Sequence, residues 1–564
     1  MADDPVLGAA QADPSPLRDR FASTTLHILG IALAAVSLGM AGCALLEAAT
    51  SRRDTMALGV SALLVGTAGG LLWYATLPGA IRMRRVFATV SWTWILTTVA
   101  GALPFVLAGT FAVAGAGLGE QIVNSVFESA SGFSASGSTV LSDFTSPGRG
   151  LMMYRQLTHW YGGMGVVVLA VAVLPFLGVG GLELMTAELP GTSSDRLVPR
   201  VSETARRLWM VYIGFTACAA MAFYAAGGFS SLYDAVAHAF TVAATGGFSP
   251  HADSIGHYDS VAVEAVAIVF MILGGTSFSL HWRAVATRSL PYHRSGEFRT
   301  YLAMLGTASA LIVISIWLEN GLPLSSSIRA AVFTVVSLGT STGLSNATGA
   351  GSPGDYVAWV AGAQLILLLL MVVGGCTGST SGGIKVMRLR VLGLMMLRSV
   401  QHTQTPRAVI PIRLGPDSVR ETVVSRATGF FLLHFLLMMA GLLAVTSLGG
   451  ELETSLGAVV SALGNMGPAL GEAGPTSNYA VAFTQPARLV LALLMVIGRL
   501  EIFPILLTGV GLFAGTYRAA VRQGRHWLRW AAHRLEAIAE SRSGDADAGD
   551  ADVVAESRSG DEDV

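Results

Sequence analysis

The chain has 564 residues, 52% of them hydrophobic and only 13% charged, with a formal net charge of −1. Soluble domains carry ~25% charged residues, so the polar surface needed to cover a water-soluble core of this length is missing. That excludes a cytosolic enzyme, a secreted disulfide scaffold and a disordered chain, gives no nucleic-acid signal, and indicates a polytopic membrane protein.

The opening residues, MADDPVLGAAQADPSPLRDR, lack the basic start, apolar run and cleavage site of a signal peptide, so the first span is expected to stay in the mature protein. A helix that crosses a bilayer needs ~20 apolar residues. Runs of that kind predict spans at 24–47, 56–80, 86–109, 157–178, 207–227, 260–282, 300–319, 356–376, 424–448 and 487–515. Within each successive pair of the last eight lies a shorter, semi-polar stretch, at 121–132, 231–243, 326–338 and 454–465. Each is too short to cross and ends in a Gly/Ser/Thr-rich turn. The turns read SGFSASGST (131–139), VAATGGFSP (242–250), SLGTSTGLS (337–345) and GNMGPALGE (464–472).

With Gly137, Gly246, Gly343 and Gly467 as equivalents, the spacings are 109, 97 and 124 residues, a fourfold internal repeat that determines the architecture. The expectation is an all-α polytopic membrane protein: four pseudo-repeated helix–pore-helix–helix units around a central pore, plus two extra N-terminal spans. The expected boundaries are a tail at 1–22, the two extra spans at 23–82, and repeats at 83–195, 196–290, 291–415 and 416–516. Residues 517–540 are basic and roughly amphipathic, which suits an interfacial helix on the inner leaflet or docking to a partner; the acidic remainder to 564 reads as disordered.

Basic residues number 35, and all but Lys385 are arginine. They collect in alternate connections: Arg82, Arg84 and Arg85; Arg196, Arg200, Arg206 and Arg207; Arg283, Arg288, Arg294 and Arg299; and the stretch from Lys385 to Arg426. By the positive-inside rule these face the cytoplasm with both termini, and the half-helices enter from outside among acids such as Glu120, Asp143, Asp253 and Glu451.

Non-helical backbone is tolerated at membrane depth only where it is buried in protein or lines a watery cavity. Four such turns at equivalent positions can converge on one axis, where carbonyl oxygens replace the hydration shell of a cation. Glycine admits the backbone conformations this requires. Each half-helix also aims a C-terminal end, about half a negative charge, at the axis.

The chain resembles the TrkH/KtrB group of bacterial potassium-uptake subunits, the TrkH branch more closely because of the two extra N-terminal spans. The strings that carry the resemblance are RQLTHWYGGMGVVVLAVAVLP (155–175), HAFTVAATGGFSPH (238–251), GGCTGSTSGGIKVMR (374–388), GNMGPALG (464–471) and GRLEIF (498–503). It implies that potassium is the substrate, bound at the filter glycines Gly137, Gly246, Gly343 and Gly467. Ala135, Ser136, Ser138, Thr245, Gly247, Thr342, Leu344, Met466 and Pro468 would form the rest of the filter. In the first turn Ser134, Ala135 and Ser136 stand where the pattern is usually threonine-rich. In related transporters a serine at the first filter glycine goes with sodium, so glycine at 137 favours potassium. The resemblance further implies a prokaryotic cytoplasmic membrane, a homodimer among membrane lipids and a cytoplasmic TrkA-type nucleotide-binding ring. No nucleotide-binding fingerprint or cofactor site is expected in the chain itself.

The run GGCTGSTSGG (374–383) breaks the second long span of the third repeat, because each Gly costs a helix about 1 kcal/mol against Ala. Walker spacing fails around Lys385. The resemblance makes this run, with Gly374, Gly375, Gly378, Gly382 and Gly383, a gating loop below the filter, tethered by Lys385. Arg499 lies inside the last predicted span, where a charge costs ~3 kcal/mol; it is expected to face the pore and contact loop carbonyls. Glu501 would pair with another helix or subunit, since residues two apart point to nearly opposite helix faces. His159, His238 and His434 read as packing or hydrogen-bonding groups. Glu128 reads equally as a mouth charge or a hydrogen-bonded carboxylate, and Asp234 and Glu264 as outer-vestibule charges. A secondary transporter with alternating access is the alternative; it predicts two related halves. An enzyme would need a clustered reactive set in the spans, and none is visible.

Overall fold

The computed structural model describes residues 21–77, 83–112, 117–172, 197–227, 231–414 and 417–510. The N-terminal tail, the basic segment 517–540 and the acidic tail lie outside these residues. One compact unit covers Met1–Pro504; of the second, Ile505–Val564, the described residues 505–510 are helical. Among the described residues six helices are long and apolar enough to cross a membrane: Thr24–Ala49, Thr55–Ala75, Val86–Leu107, Glu203–Ala225, Gly296–Leu318 and Glu421–Ser447. Between 22% and 39% of the most apolar stretch of each is buried within the protein, as suits helices with lipid on one side. Apart from the helices, the described residues hold two short two-stranded ladders, at Phe21–Ala22 with Thr76–Leu77 and at Arg413–Leu414 with Asp417–Ser418.

The four half-helices span Leu118–Ser134, Leu232–Ala244, Leu324–Gly339 and Leu452–Gly464. Burial separates them from the spans. From Phe127 to Ser134, from Thr241 to Ala244, from Phe333 to Gly339 and from Gly457 to Gly464 every residue is buried. Their closing turns are therefore enclosed in protein, the one setting in which irregular backbone survives at that depth.

Three predicted spans differ from expectation, the run at 356–376 being helical only over Ala361–Val373 after a separate 3₁₀ turn at Tyr356–Ala358. The run at 260–282 is two helices, Val261–Gly274 and Phe278–Thr287, bent by 96°. The groups freed at this break are taken up by the Gly-rich run: Cys376 N–H donates to Gly275 O at 2.8 Å and Phe278 N–H donates to Gly378 O at 3.0 Å. Two broken helices thus satisfy each other's backbone. The last span does not run unbroken to 515, because its helix, Gln485–Arg499, stops at the arginine and Glu501 and Ile502 adopt left-handed backbone (φ 54° and 66°).

Candidate functional site

Every half-helix closes in the same backbone figure. A left-handed residue follows it, directly in three turns, at Ala135 (φ 49°), Thr245 (50°) and Asn465 (53°), and one residue later in the third, at Ser341 (57°). Two residues further on comes a glycine with positive φ: Gly137 (90°), Gly247 (84°), Gly343 (77°) and Gly467 (99°). This pattern corrects the register of the second turn. Gly247, not Gly246, is the equivalent of Gly137, and a Cβ on Gly246 would strike the His159 ring instead of a neighbouring turn. TGGF offers two adjacent glycines, and spacing alone cannot choose between them.

The four glycines close a circle. A Cβ on Gly137 would collide with Gly246 O, one on Gly247 with Thr342 O, and one on Gly343 with Met466 O; one on Gly467 would come within 2.9 Å of Ser136 O. Each glycine therefore abuts the carbonyl oxygen preceding the glycine of an adjacent turn. Positive φ and this close approach each exclude a side chain. Three of the four glycines, Gly137, Gly247 and Gly343, line an open cavity of about 230 Å³ together with Ser138 and Pro468, and His251 and Asp253 also border it.

The junctions between turns are fastened from outside the circle by Glu128, His159 and His238, which the sequence singles out, and by Arg155, Tyr356 and Tyr479, which sequence reasoning missed. Arg155 is fully buried and joins the first turn to the second. Its Nε pairs with Glu128 Oε1 at 2.6 Å, its guanidinium donates to Ser249 O at 2.9 Å, and it lies 3.5 Å over the Phe248 ring. Glu128 in turn accepts from Val140 N–H and from the Thr139 hydroxyl, both at 2.9 Å. Glu128 is thus the hydrogen-bonded carboxylate and not a mouth charge. His159 stacks on Phe248 with centroids 4.0 Å apart, and its Nδ1 lies 2.8 Å from Thr241 Oγ1. His238 Nε2 lies 3.1 Å from Ser249 Oγ. At the second junction Ile255 and Gly256 N–H donate to Ser345 O at 3.0 and 3.2 Å. At the third, Tyr356 OH donates to Ala469 O at 2.9 Å. At the fourth, Tyr479 N–H donates to Thr139 O at 2.9 Å. The two acids expected in the outer vestibule are paired, Asp234 with His251 at 3.1 Å and Glu264 with Arg329 at 2.9 Å. His434 packs near Phe430, with ring centroids 6.1 Å apart.

The run 374–383 passes against the inner ends of three turns. Thr380 Oγ1 donates to Ala243 O at 3.1 Å and receives Thr245 Oγ1 at 3.3 Å. Gly382 N–H donates to Ser341 Oγ at 2.7 Å, and Ser341 Oγ donates to Ser381 Oγ at 2.8 Å. Gly382 is flush against Gly464, leaving no room for a Cβ. The neck closes through Ile384 N–H on Val372 O (3.1 Å) and Lys385 N–H on Val373 O (2.8 Å), with Gly374 and Gly383 both at φ 73°. Gly375 N–H donates to Ser381 Oγ at 2.8 Å, and Gly378 (φ 76°) carries the carbonyl that receives Phe278.

Two cations reach adjacent carbonyls of this loop. Arg499 Nη1 donates to Thr380 O at 2.6 Å, and Lys385 Nζ donates to Ser381 O. Arg499 Nε and Nη2 are buried without a hydrogen-bond partner among the described residues. Glu501 pairs with Arg388, which lies 4.1 Å over the Phe430 ring. The helix has ended before Glu501, so its direction follows from the left-handed turn and not from helical spacing. Glu297, on the helix Gly296–Leu318, accepts from Thr377 N–H at 2.7 Å and Met387 N–H at 3.2 Å and so ties the loop to the start of the helix that follows it. Among the described residues no group of three or more His, Cys, Asp or Glu could hold a metal ion.

A family profile described as TrkH, cation transport protein, matches residues 60–318 and 318–513. The chain is 36% identical over 489 residues to the Trk system potassium uptake protein TrkH of Halomonas elongata, covering 85% of this chain and 96% of that one. It is 34% identical over 455 residues to the protein of the same name from Escherichia coli, covering 80% and 89% respectively. The crystal structure of the potassium transporter TrkH from Vibrio parahaemolyticus is similar with a TM-score of 0.76 at 29% identity, over 86% of this chain and 97% of that one. With most of its length matched, the chain belongs to the TrkH family of cation transport proteins, which are membrane transporters and not enzymes.

Proposed function

We propose that the chain takes up potassium across the cytoplasmic membrane through a carbonyl-lined, gated pore driven by the membrane potential. The observation that carries this reading is the closed circle of Gly137, Gly247, Gly343 and Gly467, each set against a carbonyl of the adjacent turn. An ion entering from the acidic side exchanges water for peptide oxygens. The membrane potential supplies about 2.3 kcal/mol per charge per 100 mV, and no second substrate is needed for inward movement. Below the circle the loop and the Arg499 charge form the closed gate, and opening requires Thr380 and Ser381 to leave the axis.

In this reading two copies of the chain associate in the membrane. A cytoplasmic TrkA-type ring, as the Trk-system names of the relatives suggest, acts on the inner face to move the loop. The test is rescue of a potassium-uptake-deficient cell in low-potassium medium, with cation flux measured in liposomes. The wild-type chain is expected to rescue, and Gly137→Ser to lose potassium preference because a Cβ at φ 90° meets Gly246 O. Absence of both rescue and flux would overturn the reading, and flux strictly coupled to a second ion would replace it with alternating access.

A further inference from the structure

The circle of turns is not fourfold in its chemistry. Gly467 O accepts three hydroxyl donors: Ser138 Oγ at 2.9 Å, Ser461 Oγ at 2.8 Å and Tyr479 OH at 2.8 Å. A carbonyl oxygen has two lone pairs, so this one is fully committed. Among the described residues the carbonyls of Gly137, Gly247 and Gly343 accept no hydrogen bond. The donors are themselves fixed. Ser138, Ser461 and Tyr479 are at most 1% exposed. The Tyr479 ring packs on Phe127 and Phe483 with centroids 5.4 and 5.7 Å away. Its backbone N–H is anchored on Thr139 O at 2.9 Å. Tyr479 therefore lies across the seam where the last repeat meets the first, held by the first turn and holding the fourth.

We infer that Tyr479 and Ser461 are positioning residues for selectivity: they turn the Gly467 carbonyl away from the axis, so the level of the filter formed by the four glycine carbonyls offers an ion three protein ligands instead of four. This rests on the reading of the circle as a cation filter. The number of carbonyl dipoles around an ion is one determinant of preference between potassium and sodium. Withholding one lowers the preference for the larger ion and weakens its hold, which speeds exit. Three donors share two lone pairs, so each one removed loosens the hold on the carbonyl, and with Ser138 alone left a lone pair is free and the carbonyl swings inward.

The experiment reconstitutes the full chain in liposomes and measures initial potassium and sodium fluxes for wild type, Tyr479→Phe, Ser461→Ala and the double variant. Tyr479→Phe keeps the packed ring and deletes only the hydroxyl. Each single variant is expected to raise the potassium-to-sodium flux ratio about twofold, and the double variant about fivefold, with a lower absolute potassium flux. If the double variant does not fold, the single variants carry the test. A ratio that stays at the wild-type value or falls, as loss of a merely structural contact would produce, overturns the inference while leaving the pore reading intact. Wild-type protein that passes neither ion overturns the pore reading itself.

Discussion

The turns and the loop beneath them use the same small residues, yet they are held in opposite ways. Each junction between turns has its own fastening from outside the circle: the Arg155–Glu128 pair, the Ser345 carbonyl, Tyr356 and Tyr479. These bonds are buried, and of the side chains that make them Arg155 and Tyr479 also border the cavity lined by the glycines. The loop, besides its neutral bonds to the turns and to the broken helix, is held by charges that converge on it, Arg499 and Lys385 on adjacent carbonyls and Glu297 on the Thr377 and Met387 N–H groups. A filter must keep one geometry to choose an ion, and independent constraints achieve that. A gate must have two states of similar free energy, and a few charge-assisted bonds, each about twice as strong as a neutral one, can be exchanged as a group. Substitutions around the circle should therefore cost folding and selectivity, whereas those around the loop should change flux and spare folding.

The largest effect expected is at Glu128. Glu128→Ala leaves the fully buried Arg155 guanidinium unpaired, and breaking a buried pair from one side costs about 3–5 kcal/mol. Thermal unfolding of the purified protein should show a large loss of stability, and cells should show no uptake. Unchanged stability would mean that the circle is not held from outside. Next in size are the two glycines of the second turn. Gly247→Ala places a Cβ at φ 84° against Thr342 O and should abolish selective flux. Gly246→Ala meets only the His159 ring, so flux should recover when His159 is also reduced to Ala, and Gly247→Ala should not respond to that second change. Equal behaviour of the two positions in the flux assay would return the register to the sequence-based one.

This pair of glycines also marks how far the sequence could be read. Span length and polarity were enough to locate all four half-helices, because burial on all sides and lack of length leave a clear signature. The break at 374–383 was legible for a similar reason, since five glycines in ten residues cannot sustain a helix. The register of TGGF was not, because it depends on φ and not on residue type. The Arg155–Glu128 pair spans 27 residues and Tyr479 reaches Thr139 across most of the chain. No local periodicity carries such contacts. A signal existed for Arg155: an arginine at the start of an apolar run, with a carboxylate in the preceding half-helix, needs a partner. Glu501 pairs with Arg388 of another helix, as expected of it, but its direction comes from the left-handed turn after Arg499 and not from helical spacing.

Smaller effects belong to the loop. Arg499→Ala removes a buried charge whose Nη1 is the donor to Thr380 O. Its loss lowers the barrier to cations and frees the loop, so flux should rise about tenfold, equivalent to 1.4 kcal/mol, with little change in unfolding temperature. Unchanged or lower flux in properly inserted protein would remove Arg499 from the gate. Glu297→Gln is expected to give the smallest rise, and it tests the comparison most closely. The amide keeps an oxygen where the carboxylate had one, so Thr377 and Met387 still find an acceptor and the loop keeps its path. What is lost is the charge, and with it roughly half the strength of two bonds, about 1 kcal/mol in all. Isotope uptake should increase about threefold to fivefold, and Glu297→Ala, which removes the acceptor as well, should exceed it. If the two variants gave the same flux as wild type, the ends of the loop would be held by the neck bonds of Ile384 and Lys385 alone, and the gate would move as a hinge at Val372 and Val373 instead of by release of its charged fastenings.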